Sequence, residues 1–407
     1  MDRRYLTPEI ESLAFGSFKM AFLSGPRQVG KTTLSKLLLG ERELGAYYSW
    51  DDVVFRRQWV KDPKELVPAG KPNCKPLVIL DEIHKAKLWK RSLKGVFDVM
   101  GEKVDLLVTG SARLGVYRRG SDSLLGRYFH FRLHPFSIAE LSRARPREPE
   151  EALNEIISRS RVSSERNQSV LNALLRYGGF PEPFLAASDK RARLWRRGRV
   201  EKVIREDLRD LSRLPDLSRI EMLASLLPER VGSLVSVASL REDLEVSHDS
   251  VKRWLGALSE LYYLYEVKPY HPGIRRSLRK EGKIYLWDHS EVEAPGPRFE
   301  NLVAGHLLKA CDYWTDTGEG DFSLRYLRDK EKRELDFLIV RDKKPWLPVE
   351  VKLSDLEPSP AWKHFLPQLP CNVGLQLVAT PGHWKWHTVG NKRVLVASAA
   401  ALLEYLI

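Results

Sequence analysis

The sequence predicts an α/β protein whose first domain is built on a parallel sheet. Three observations predict it. An apolar run, Met20-Ala21-Phe22-Leu23, leads into Gly25-Pro26-Arg27-Gln28-Val29-Gly30-Lys31-Thr32 and then a helix-forming stretch, Thr33–Leu39. A second apolar run, Leu77-Val78-Ile79-Leu80, ends in Asp81-Glu82. A further candidate strand, Val104-Asp105-Leu106-Leu107-Val108, apolar but for Asp105, ends in Thr109-Gly110-Ser111. Continuous apolar runs of this kind suit strands covered on both faces.

Residues 1–18 suit a short helix leading into the first strand. The pattern G-x-x-x-x-G-K-T between strand and helix is a phosphate-binding loop. Its glycines let backbone N–H groups curl around a triphosphate at the positive end of the following helix. Gly25, Pro26, Arg27, Gln28, Val29, Gly30, Lys31, Thr32 and Thr33 are expected to hold the triphosphate, which this loop alone would fit to a kinase, a GTPase or an ATPase. Lys31 would reach the β- and γ-phosphates, and the Thr32 hydroxyl would ligate Mg²⁺. Ala46–Trp50 reads as the next strand, ending in Asp51-Asp52, with a helical segment near Val53–Val60 and a turn-rich stretch from Pro68 to Pro76.

Asp81-Glu82 at the end of an apolar strand has the Walker B pattern of an ATPase. Asp81 would hold Mg²⁺ through water, and Glu82 would orient and polarise the attacking water. On the next strand Thr109 or Ser111 suits a γ-phosphate sensor. Arg113 and Arg127 suit stabilisation of the transferred phosphoryl group. Either arginine could equally pair with a surface acid. Tyr128–Leu133 completes this half as an aromatic strand.

From Ala139 to about Ala187 the composition turns helix-forming and charged. Lys190, Arg191, Arg193, Arg196, Arg197 and Arg199, interleaved with Leu194, Trp195 and Val200, read as a basic amphipathic helix. Such a face binds phosphate backbones or is simply solvated. Ser236–Leu244 reads as a short helix, Ser247 as the N-cap of a second helix, His248–Tyr262. Two strands follow, Tyr263–Pro269 and Lys283–Trp287, around the basic loop 273–280. This is the plan of a winged helix, used on DNA or for packing.

The last segment offers a helix, Leu302–Cys311, preceded by Glu300, and strands Phe322–Arg328, Glu334–Val340, Leu347–Lys352 and Gly374–Thr380. Glu350 and Lys352 lie two apart on a strand and share a face. Asp336 joins them if its strand is adjacent, and Glu300 can approach from the helix. Carboxylates so grouped suit Mg²⁺-assisted phosphodiester hydrolysis, with Lys352 stabilising charge. A salt-bridge ladder, or a nuclease-like fold without activity, would produce the same pattern.

Gly25–Thr33, Leu77–Lys85, Leu107–Arg113, Arg132–Leu141 and Tyr177–Glu182 together resemble a large prokaryotic AAA+ ATPase family whose members carry a C-terminal domain of unknown function. The resemblance covers most of the chain. It implies an α/β P-loop AAA+ core and a need for ATP and Mg²⁺. One departure is a Thr or Ser at the sensor position where many AAA+ proteins have Asn. The last segment resembles the PD-(D/E)xK restriction-endonuclease-like fold: Asp336, Glu350 and Lys352 match its D…ExK motif, and Glu300 the acid of its first helix. Gln368 is placed as the polar residue of its next helix. The expected domains are a P-loop AAA+ ATPase at 1–140, a helical lid at 141–225, a winged helix at 226–290 and an α/β restriction-endonuclease-like domain at 291–407.

Composition bounds the partners. A net charge of +13 and a pI of about 9.5 favour a polyanion, with DNA ahead of an acidic membrane. No apolar run approaches the roughly 20 residues that span a bilayer. Cys74, Cys311 and Cys371 have no metal-type spacing and suit a reducing compartment. The chain reads as cytoplasmic. The AAA+ resemblance suggests a ring; with no arginine finger fixed, monomer and dimer stay open, as does a protein partner.

Overall fold

A computed structural model describes residues 4–69, 74–110, 124–159, 165–207, 216–271 and 281–407. It divides into two compact units, Met1–His134 and Pro135–Ile407.

The first unit is a five-stranded sheet among the described residues: β1 (Met20–Ser24), β2 (Gly45–Ser49), β3 (Leu77–Asp81), β4 (Asp105–Gly110) and β5 (Tyr128–Arg132), in the order β2-β3-β4-β1-β5. Every neighbouring pair is parallel. All residues of β1, β3 and β4 are buried, which is why their apolar runs have no alternation. Phe55 and Trp59 of the helix Val53–Lys61, and Leu93 and Val96 of the helix Trp89–Met100, pack with Phe22, Val78 and Leu80. The Asp52 side chain caps the former helix by accepting from the Val54 N–H. Register aligns Leu23 and Asp81 with Thr109, so the C-terminal ends of β1, β3 and β4 meet at one edge. Ligands of open parallel sheets sit beyond that edge.

The second unit opens with helices, among them Glu165–Tyr177, Asp189–Lys202 and Leu217–Leu226. The two helices expected in this stretch are present as Val237–Leu244 and His248–Glu260. Ser236 and Ser247 cap the two helices by accepting from the N–H groups of Ser239 and Ser250. Among the described residues, eight strands then make a mixed sheet: β6 (Leu264–Pro269), β7 (Lys283–Leu286), β8 (Phe322–Arg328), β9 (Glu334–Arg341), β10 (Lys344–Lys352), β11 (Val373–Val378), β12 (Trp384–Val389) and β13 (Lys392–Ser398). Their order is β12-β13-β11-β10-β9-β8-β6-β7. The hairpin β6–β7, expected inside a separate domain at 226–290, is thus joined to the sheet expected at 291–407. The join is parallel pairing of Lys268 and Pro269 with Arg325 and Tyr326. The basic loop at 273–280 lies outside the described residues.

A 22-residue helix, Pro295–Asp316, packs on this sheet and buries three polar side chains, Asn301, His306 and Lys309. The His306 ring accepts the Ile138 N–H at Nε2 (3.0 Å) and donates from Nδ1 to the Leu302 carbonyl (2.8 Å). Only the neutral ring can do both. Burial pushes its pKa down from 6.5 to about 3, with Lys309 adding to the effect. A folded pKa below the unfolded value gives stability that is complete above pH 6.5 and lost as the pH falls towards 3. Between pH 6 and 4 the urea stability of the parent should therefore fall relative to His306→Gln, by up to about 1.4 kcal/mol per pH unit. Parallel pH profiles for the two proteins would rule this out.

Candidate functional site

The loop after β1 has the backbone of a phosphate cradle. Gly25 has φ +151°, and a Cβ there would lie 2.3 Å from the Leu133 carbonyl oxygen, so glycine is required. Gly30, at φ +101°, turns the chain into the helix Lys31–Gly40. Lys31 is buried, and its Nζ donates to the Gly25 and Pro26 carbonyls at 2.9 Å each. Arg4, which sequence reasoning passed over, is also buried. Its guanidinium donates to the carbonyls of Val29 (2.9 Å) and His134 (2.7 Å), tying the loop to the end of β5.

Three hydroxyls converge on Asp81. Thr32 donates to Oδ2 at 3.0 Å, Tyr47 donates to the same oxygen at 2.5 Å, and Thr109 donates to Oδ1. Burial first, and then the bond to Asp81, raise the Tyr47 phenol well above its usual range. Tyr47 was not anticipated; its signal is the register that puts it two residues before the end of β2, beside β3. Glu82 takes the left-handed conformation (φ +58°) that non-glycine residues rarely adopt. Its N–H donates to the Thr109 carbonyl, and its carboxylate lies 3.4 Å from His84 Nε2 and 3.9 Å from Lys85 Nζ. Arg127 is held by Asp98 through two bonds, 2.6 and 3.2 Å. Ser111 and Arg113 lie outside the described residues.

In the second unit Glu300, Asp336, Glu350 and Lys352 do come together, with three residues the sequence reading did not assign. Lys352 Nζ lies 2.7 Å from Glu350 Oε1. Glu350 Oε2 accepts the Asp336 N–H (3.2 Å), and Asp336 Oδ2 accepts the Val351 N–H (2.9 Å). Tyr285 donates to Glu300 Oε1 (2.7 Å). Lys283 Nζ lies 2.5 Å from Glu334, 3.5 Å from Glu300 and 3.7 Å from Asp336. Burial pushes Glu300 and Glu350 up to about 7, and the Asp336 charge adds to it; Lys283 and Lys352 respectively work against the rise. Burial opposes the charge on Lys283, but the pull of Glu300, Asp336 and Glu334 outweighs it and the pKa rises. Gln368, by contrast, is exposed and donates to the His364 carbonyl. The buried amide of its half of the sheet is Gln376, which accepts from Ser359 N–H and Trp362 Nε1.

A parallel sheet with a glycine-bounded loop ahead of a helix, and strand-end polar groups beside it, fits an α/β P-loop fold of the AAA+ kind. In keeping with that class, residues 17–142 match the AAA domain family. Residues 168–294 match a domain of unknown function (DUF8612), and residues 295–385 another (DUF4143). An uncharacterized protein of Mycobacterium tuberculosis is 26% identical over 269 residues, 66% of this chain and 54% of its own length. The chain thus spans about half the length of that mycobacterial relative. An uncharacterized protein of Haemophilus influenzae is 22% identical over 302 residues, 70% of this chain and 69% of its own. Among solved structures, the Aeropyrum pernix ORC1 protein in complex with DNA aligns with a TM-score of 0.33 at 14% identity, covering 70% of this chain and 86% of that one. AMPPCP-bound DnaA from Aquifex aeolicus aligns at 0.29 and 14% identity, covering 63% and 86%. No described helix is long and apolar enough to cross a membrane.

Proposed function

We propose that the chain is a Mg²⁺-dependent ATPase whose second unit engages DNA. The observation that carries the first part is the meeting of Thr32, Asp81 and Thr109, from the loop helix, β3 and β4, at one sheet edge. Gly25–Thr33 would hold ATP, and Thr32 and Asp81 its Mg²⁺. The bound ATP and Mg²⁺ would supply the reactive phosphoryl group and a divalent charge beside it. Lys31, already donating to two carbonyls of the cradle, would exchange them for phosphate oxygens. Glu82 would accept a proton from the attacking water, with His84 and Lys85 orienting its carboxylate. Thr109 would report the γ-phosphate through Asp81. Arg113 remains the arginine candidate for the phosphoryl group, since Arg127 is engaged by Asp98.

DNA engagement is supported by the net charge of +13, the helix–turn–helix with its hairpin, and the exposed Lys190, Arg191, Arg193 and Arg197 of one helix. In this reading the helices around 141–225 act as the lid, 226–290 as a winged helix, and 291–407 as a restriction-endonuclease-like fold. Binding of duplex DNA by the full chain should weaken steeply and log-linearly with salt, as counterion release requires. Charge reversal of Arg191, Arg193 and Arg197 together should reduce the salt slope. No binding at low salt would overturn the DNA reading. It would leave a second one, a nucleotide-dependent switch for a protein partner with an inactive nuclease fold, which the neutralised acid cluster favours.

A further inference from the structure

The nuclease-like reading of the second unit implies a divalent metal among Glu300, Asp336 and Glu350. The side chains present do not fit one. Lys283, at the start of β7 and 2% exposed, puts its ammonium between Glu300, Glu334 and Asp336. Metal ligation needs carboxylate oxygens at about 2.0–2.6 Å around one point, and here that convergence is onto an ammonium. Oxygens of Glu334, Asp336 and Glu350 that do not face Lys283 are engaged as well. Arg328 holds Glu334 Oε2 at 2.7 Å, the Val351 N–H holds Asp336 Oδ2, and Lys352 and the Asp336 N–H hold the two oxygens of Glu350. Four carboxylates thus face three cations, Lys283, Arg328 and Lys352, so the cluster is close to neutral without an added ion. Among the described residues, no group of three or more His, Cys, Asp or Glu is arranged to hold a metal.

We propose that Lys283 is a tethered cation in the place that the nuclease-like fold gives to its divalent metal, so that the C-terminal acid cluster is complete without Mg²⁺ or Mn²⁺. The inference rests on the nuclease-like reading above. Its covalent anchor is what sets it apart from a bound ion. Lys283 is held in β7 by pairing with Val267 of β6 and by a bridge to Leu234, so its position is fixed by the fold rather than by concentration. The Tyr326 ring, 5.7 Å from Nζ, adds a further wall for the positive charge.

The test is Mn²⁺ binding to the full chain without nucleotide, followed by the loss of the free-ion paramagnetic signal. Wild type and Asp336→Asn should bind Mn²⁺ alike, because Asp336 is not available as a ligand. Lys283→Met should gain a site at least tenfold tighter than any in wild type, and Lys283→Met with Asp336→Asn should lose it. Mn²⁺ should also raise the melting temperature of Lys283→Met and leave that of Lys283→Arg unchanged. Mn²⁺ binding by wild type that disappears in Asp336→Asn would overturn the proposal, as would a folded Lys283→Met with no new site. Should Lys283→Met fail to fold, the comparison of wild type with Asp336→Asn decides alone. Plasmid nicking separates the two readings. Mn²⁺-dependent nicking by wild type, lost in Glu350→Ala, would uphold the nuclease-like fold and sink the tethered cation. A Lys283→Met protein that gains the Mn²⁺ site but never nicks would uphold the tethered cation in a nuclease-like fold without nuclease activity.

Discussion

Lys31→Ala should lower ATP turnover by roughly a thousandfold, the loss expected when a principal donor to developing charge is removed from a preorganised site. The structure argues that this loss would be chemical and not a failure to fold. Lys31 occupies the first position of the helix Lys31–Gly40, where alanine is a better helix former than lysine. Its ammonium donates to the neutral Gly25 and Pro26 carbonyls of its own loop. Glu82→Gln should also stop turnover but keep ATP affinity within a few-fold, since its role is the proton of the water. Steady-state turnover at saturating Mg²⁺ and ATP, with fluorescent-nucleotide binding and a melting curve for each variant, measures all three quantities. Turnover by Lys31→Ala within threefold of wild type would exclude the ATPase assignment.

The largest stability effect is expected at Lys309. This lysine is 1% exposed in the helix Pro295–Asp316, and its Nζ lies 2.8 Å from Glu140 Oε2, 2.8 Å from Ser137 Oγ and 3.3 Å from the Pro135 carbonyl. Lys309→Met keeps the volume but removes the cation beside a carboxylate that is itself 8% exposed. Breaking a buried pair from one side typically costs about 3–5 kcal/mol. Lys309→Met combined with Glu140→Leu removes both charges and should recover most of that loss. Urea unfolding of the second unit, followed by the fluorescence of buried Trp314 and Trp362, reads the cycle. A single-variant loss below about 1 kcal/mol would show that Glu140 is solvated well enough to stand alone.

The nucleotide half was largely legible because its signals are local. Strands buried on both faces leave unbroken apolar runs, and the residues of the cradle are contiguous. β1, β3 and β4 begin and end within a few residues of where their apolar runs do. The convergence on Asp81 was legible for Thr32 and Thr109, which sit at motif positions, and not for Tyr47, whose place depends on strand register. In the second half, the shared face of Glu350 and Lys352 follows from their spacing on β10. Lys283 was hidden for the opposite reason. It joins Glu334 and Asp336 only because β6 and β7 were recruited into the sheet across a boundary that the helix–turn–helix pattern suggested.

That recruitment has a bearing on inheritance. The two domains of unknown function meet between residues 294 and 295, which looks from sequence like a place where modules could be exchanged. Mechanically it is no seam. A crossover there would take β6, β7 and Lys283 from one parent and Glu300, Glu334 and Asp336 from the other. The incoming sheet would have to accept a foreign edge strand, and its acids would meet whatever residue the new β7 supplied. Chimeras joined at 294/295 should therefore fold stably only when the donor hairpin also carries a cation at the position of Lys283, which urea unfolding of such chimeras would measure.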